Sequence, residues 1–188
     1  MYVQGTTTRG LSDGHIVPQF VLDSLILANK GAGASIIVTQ PRRLSAIGVS
    51  ARVSAERVDD GSVGYAIRGE SKQDQHTKLL FCTTGVVLRR LGGGDKLQGV
   101  THVMVDEVCS PGLSLLGDRM GLTGARQVHE RSIDGDFLML ELKELLKHRP
   151  DLKVVLMSAT INHETFAKYF GNAPLLAIPG LTYPVEDL

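Results

Sequence analysis

His102-Val103-Met104-Val105-Asp106-Glu107 is the stretch on which the reading turns. An apolar run that does not alternate marks a strand buried on both faces, as in a parallel sheet covered by helices. Such a strand rarely finishes in two adjacent carboxylates unless something positive sits there, because uncompensated charge is costly to bury. One carboxylate can hold a hard cation through water. Its neighbour can orient or deprotonate a water that attacks a phosphate. The plainer reading of the same pair is a solvated Asp-Glu turn.

Three further runs share this character: Ser35-Ile36-Ile37-Val38-Thr39, Lys78-Leu79-Leu80-Phe81-Cys82-Thr83 and Lys153-Val154-Val155-Leu156-Met157, with residues 175–178 as a fifth candidate. Helical spacing of apolar residues predicts helices over 18–29, 44–57, 85–91, 136–148 and 162–170. The fourth carries Leu138, Leu142, Leu145 and Leu146 on one stripe and stops at Arg149-Pro150, where proline ends a helix. Asn162 is a candidate N-cap for the last. Strands alternating with helices predict a doubly wound α/β domain, in which ligands sit at the carboxyl ends of the strands.

Polar residues collect at those ends. The first strand leads into Thr39-Gln40-Pro41-Arg42-Arg43, the second into Thr83-Thr84-Gly85, the fourth into Ser158-Ala159-Thr160. Two guanidinium groups beside a helix start make a seat for phosphate. Each element alone also has an ordinary reading, as surface arginines or as simple N-caps. Together they form a functional rim.

The remaining composition narrows the field. The chain has 188 residues, enough for one α/β domain. Acidic and basic residues balance at 20 each, so any nucleic-acid site must be a local basic patch. Cys82 and Cys109 form no CxxC pair, which argues against a disulfide framework or zinc site. No apolar run has the length of a membrane span, and residues 1–5 lack the pattern of a signal peptide. A soluble cytoplasmic or nuclear protein is expected.

The order of these motifs resembles the first RecA-like domain of superfamily 2 helicases of the DEAH/RHA group. Thr39-Gln40-Pro41-Arg42-Arg43-Leu44-Ser45-Ala46 is similar to motif Ia, Thr83-Thr84-Gly85 to motif Ib, Asp106-Glu107-Val108 to the start of motif II and Ser158-Ala159-Thr160 to motif III. Val63-Gly64-Tyr65-Ala66-Ile67-Arg68 and Ile178-Pro179-Gly180-Leu181-Thr182-Tyr183-Pro184-Val185 resemble family stretches as well. The resemblance implies a RecA-like parallel sheet sandwiched by helices, ATP and Mg2+ as cofactors, and RNA as partner. It implies that Asp106 binds Mg2+, that Glu107 activates the hydrolytic water and that His129 completes the catalytic motif. It implies that Arg42, Arg43, Thr83, Thr84 and Gly85 contact the RNA backbone, and that Ser158, Ala159 and Thr160 couple hydrolysis to RNA movement. Backbone contacts carry little base information, so sequence specificity is not expected from this rim.

Two departures stand out. Motif II is interrupted: deleting Cys109–Val128 joins Asp106-Glu107-Val108 to His129-Glu130-Arg131-Ser132 and restores the family motif. The intervening stretch is glycine-rich and weakly periodic, so it reads as a loop-like insertion, the pattern of a retained intron or of an error in the gene's assembly, with a genuine functional loop as the alternative. The phosphate loop is also degraded. Gly5-Thr6-Thr7-Thr8-Arg9-Gly10-Leu11-Ser12 has the family's glycine spacing, but Leu11 stands where lysine belongs. Gly10 and Ser12 are the only candidates there for phosphate contacts. Residues 1–16 therefore read as foreign to the family and 17–188 as the helicase ATP-binding domain with an insertion at 109–128. On this reading the sheet lacks its first central strand, and the second RecA-like half is absent. The expected function is the first motor domain of an ATP-dependent RNA helicase, impaired in this chain. The alternatives are a non-catalytic RNA-binding or interaction module, or a non-functional fragment. A metabolic P-loop kinase would explain Asp106-Glu107 but not motifs Ia and III.

Overall fold

The computed structural model describes residues 2–5, 13–107, 133–157 and 167–178. In chain order the elements are β1 (Tyr2–Gly5), α1 (Asp13–Leu27), β2 (Ile36–Gln40), α2 (Arg43–Glu56), β3 (Val63–Ile67), β4 (Glu70–Lys72), β5 (Leu79–Thr83), α3 (Thr84–Gly92), β6 (His102–Val105), α4 (Ile133–His148), β7 (Lys153–Met157) and β8 (Leu175–Ile178), with a short 3-10 turn at Gly31–Gly33. The strands form one sheet in the order β4-β3-β5-β2-β6-β7-β1-β8. All neighbours pair in parallel except the β3–β4 hairpin. This is the α/β parallel sheet expected from the continuous apolar runs.

Period-two alternation divides the core into two layers. Ile37, Cys82, Val103, Val105, Val154 and Leu156 face α3 and α4, where Val87, Leu138, Met139 and Leu142 complete one cluster. Ile36, Val38, Leu79, Phe81, Met104 and Val155 face the other way and pack with Leu22 of α1 and Val53 of α2. Helices thus cover both faces, and Leu138 and Leu142 lie fully buried as their stripe requires.

Three boundaries differ from the sequence reading. The expected absence of a central strand does not hold: β1 lies between β7 and β8, with Tyr2 opposite Leu156 and Leu175. Four residues are too few to show a periodicity, so the strand is set by the ladder on either side rather than by its own pattern. Second, α1 starts at Asp13, five residues before the expected Pro18. Proline favours a first turn, which made it look like the start. Here it sits one turn further in, leaving the Gly14 carbonyl without its usual i+4 donor. Third, residues 63–72 form a hairpin, turned at Arg68-Gly69 with Gly69 at φ +85°. The glycine at 64 masked the strand pattern, yet any Cβ there would overlap the carbonyl of Lys72. The insertion at 109–128 and the first part of the helix expected at 162–170 lie outside the described residues.

Candidate functional site: a rim of parallel strand ends

Parallel pairing brings the carboxyl ends of β3, β5, β2, β6, β7 and β1 to one edge of the sheet. Register sets their levels: Gln40 is opposite Thr83, and Thr39 opposite Val105. Asp106 therefore emerges beside Gln40. The two are joined directly, Gln40 donating Nε2–H to Asp106 Oδ2 at 2.7 Å. Asp106 Oδ1 accepts the backbone N–H of Glu107 at 3.0 Å, and the Asp106 N–H donates to the Thr39 carbonyl at 3.2 Å. The carboxylate is thus held in one orientation by two N–H donors.

Glu107 stands next to it, exposed, with φ +52°. A non-glycine residue there costs about 1–2 kcal/mol, and such strain gathers at functional sites. The first turn of α1 closes the far side. A Cβ on Gly14 would fall inside the Asp106 carboxylate and 3.1 Å from Gln40 Nε2. Only glycine lets the helix approach this closely. His15 follows, buried, its carbonyl accepting a bond from Gln19 Nε2 at 3.1 Å. Gln19 also donates to Glu56 at 2.7 Å, and that bond, with one from Arg52, holds the Glu56 carboxyl below its usual range.

On the other side of Gln40 lie two helix starts. Arg42 is the N-cap residue of α2 and makes no side-chain cap bond, and the first turn carries no acidic residue. Thr83 occupies the same position for α3, again with no side-chain cap bond. The simple N-cap reading of Thr83-Thr84-Gly85 therefore does not describe this threonine. Both are helix starts, where the backbone N–H groups create a field favouring negative charge. Arg43 donates to the backbone carbonyl of Arg68 at 3.4 Å, which ties the start of α2 to the turn after β3. The bond from Gln40 to Asp106 and the close approach of Gly14 were not read from the sequence, because the first depends on strand register and the second on the packing of α1. Gly10, Ser12, His129, Ser158, Ala159 and Thr160 lie outside the described residues.

The donor set was compared with the groups it is expected to hold. Asp106 and Glu107 offer hard oxygens, and no group of three or more metal-ligating side chains exists among the described residues. That suits Mg2+, which keeps its waters and binds through one or two carboxylates plus phosphate. The start of α1 suits a triphosphate less well. Its sequence Asp13-Gly14-His15-Ile16 supplies no lysine.

No protein-family model matches the chain. Individual proteins do. It is 53% identical over 184 residues to a putative DEAH-box ATP-dependent helicase of Mycosarcoma maydis, covering 91% of this chain and 10% of that protein. It is 52% identical over 172 residues to the DExH-box ATP-dependent RNA helicase DExH3 of Arabidopsis thaliana, covering 90% of this chain and 13% of that protein. The chain is a homologue of DEAH/DExH-box helicases. An ATP-dependent DNA/RNA helicase of Bos taurus is 44% identical over 176 residues, 91% of this chain and 15% of its own length. The homologue thus spans between a tenth and a sixth of the curated relatives it matches.

Proposed function

We propose that this chain is the first RecA-like motor domain of an ATP-dependent RNA helicase, with a weakened nucleotide site. The observation that carries the reading is the junction of Asp106-Glu107 and Gln40, on neighbouring parallel strand ends, with Gly14 of α1, in a homologue of proteins named as ATP-dependent helicases. Asp106 is the residue that would hold Mg2+, and Glu107 the one that would orient the attacking water. Mg2+ would neutralise charge on the phosphates. Arg42, Arg43, Thr83, Thr84 and Gly85 would hold the RNA backbone through guanidinium and N–H groups. His129, Gly10, Ser12 and Ser158-Ala159-Thr160 keep the roles implied by their motifs. We place the family domain at 17–188, interrupted at 109–128, and residues 1–16 outside it. The complementary RecA-like half would have to come from elsewhere. The cytoplasm or nucleus is the proposed setting. Among the described residues no helix is long and apolar enough to cross a membrane.

The missing lysine supports a second reading, a non-catalytic RNA-binding module. Nucleotide affinity separates the two. Titration of Mg·ATP should show weak binding, improved at least tenfold by Leu11→Lys. Low-micromolar affinity in the unaltered chain would refute the weakened-site proposal. RNA binding that ignores both ATP and Glu107→Gln favours the module.

A further inference from the structure

Gln40 belongs to the junction that carries the reading above, yet no chemical role has been given to it. It is the last residue of β2 and only 3% exposed. A buried primary amide needs partners, and this one donates to a carboxylate at a distance typical of a charge-assisted bond. Its backbone lies in register with Thr83, the cap position of α3. Pro41 follows, with φ fixed by its ring. Arg42 comes next in an extended conformation, φ −116° and ψ 143°, and Arg43 begins α2. Gly14 shuts the space in which the Gln40 amide could swing aside. One side chain therefore sits where three strands and the first turn of α1 meet.

We propose that Gln40 is a positioning residue: it fixes the Asp106 carboxylate for a divalent cation and ties that carboxylate to the strand end bearing Arg42 and Arg43. This rests on the reading of Asp106 as a cation ligand and of the arginines as polynucleotide contacts. Displacement of Arg42 by a bound phosphate passes through two peptide units, one of them stiffened by proline, to the amide that orients Asp106. Coupling is reciprocal, so a cation at Asp106 alters polynucleotide affinity by the same factor. A merely structural Gln40 would satisfy its own buried amide without transmitting either ligand.

The test is nuclear magnetic resonance on the full 15N-labelled chain, following the side-chain amide of Gln40. Mn2+ is the cation probe and oligouridylate the polynucleotide probe. Mn2+ should broaden this signal in the unaltered chain and fail to do so in Asp106→Asn. Gln40→Met, close in shape but without the donor, should weaken Mn2+ binding about 10–100-fold, the usual effect of removing a partner of a metal ligand. Oligouridylate should shift the Gln40 amide, and Arg42→Ala/Arg43→Ala should abolish the shift. The inference is overturned if Gln40→Met binds Mn2+ as tightly as the unaltered chain, or if bound oligouridylate leaves the amide unmoved. The second measurement needs no Gln40 variant, so it decides even if Gln40→Met does not fold. If Mn2+ leaves the unaltered chain unaffected, the cation reading of Asp106 falls, and this inference with it. If Mn2+ binds in the unaltered chain but Gln40→Met changes nothing, only the inference falls.

Discussion

Val58 holds φ +57° just beyond the end of α2, on a β-branched side chain that is 88% exposed. The left-handed residue lets the Asp59 N–H close back on the Ser54 carbonyl at 2.8 Å, which ends the helix. Asparagine tolerates that conformation far better than valine. Val58→Asn should therefore stabilise the fold by about 1 kcal/mol, read as a rise in the urea midpoint; a fall would show that Val58 makes contacts its exposure does not reveal. Cys82 offers a different probe. Burial pushes its thiol up to about 12 from an ordinary value of 9.0. The folded state thus favours the protonated thiol, so this contribution to stability is complete below pH 9 and is lost as pH rises toward 12. The loss should approach about 1.4 kcal/mol per pH unit and vanish in Cys82→Ala. At this scale the carboxylates were legible, because a buried strand ending in Asp106-Glu107 is unusual in any sequence. The left-handed backbone at Glu107 and the bond from Gln40 were not, since both depend on neighbours distant along the chain.

Elements were legible where they were long and periodic. The leucine stripe of α4 announced its buried face, and Leu138 and Leu142 indeed meet α3 and the sheet. Leu138→Ala should cost about 2–5 kcal/mol, the range for emptying a packed leucine site, measurable by chemical denaturation; a loss below 1 kcal/mol would mean that the α3–α4 layer collapses around the gap. Short elements escaped notice. The β3–β4 hairpin has a glycine where a strand residue should pack, required by the close Lys72 carbonyl. Strand β1 owes its place to β7 and β8 rather than to Tyr2-Val3-Gln4-Gly5 itself.

At the scale of the molecule, residues 6–12 lie between strand β1 and α1 in the chain, and their sequence, Thr6-Thr7-Thr8-Arg9-Gly10-Leu11-Ser12, carries no lysine. Family and motif order could be read from the sequence because the rim residues follow strand ends in series. Which strand ends meet could not, because sheet order is set by long-range pairing. With 20 acidic and 20 basic residues, the chain cannot attract RNA by net charge. On the proposed reading, RNA affinity comes from the rim and falls with salt. The most direct measurement is fluorescence anisotropy of a labelled single-stranded RNA titrated with the chain and with Arg42→Ala/Arg43→Ala. The account expects sequence-independent, salt-sensitive binding that drops at least tenfold in the double variant. Binding that is absent, or unchanged by that substitution, would contradict it.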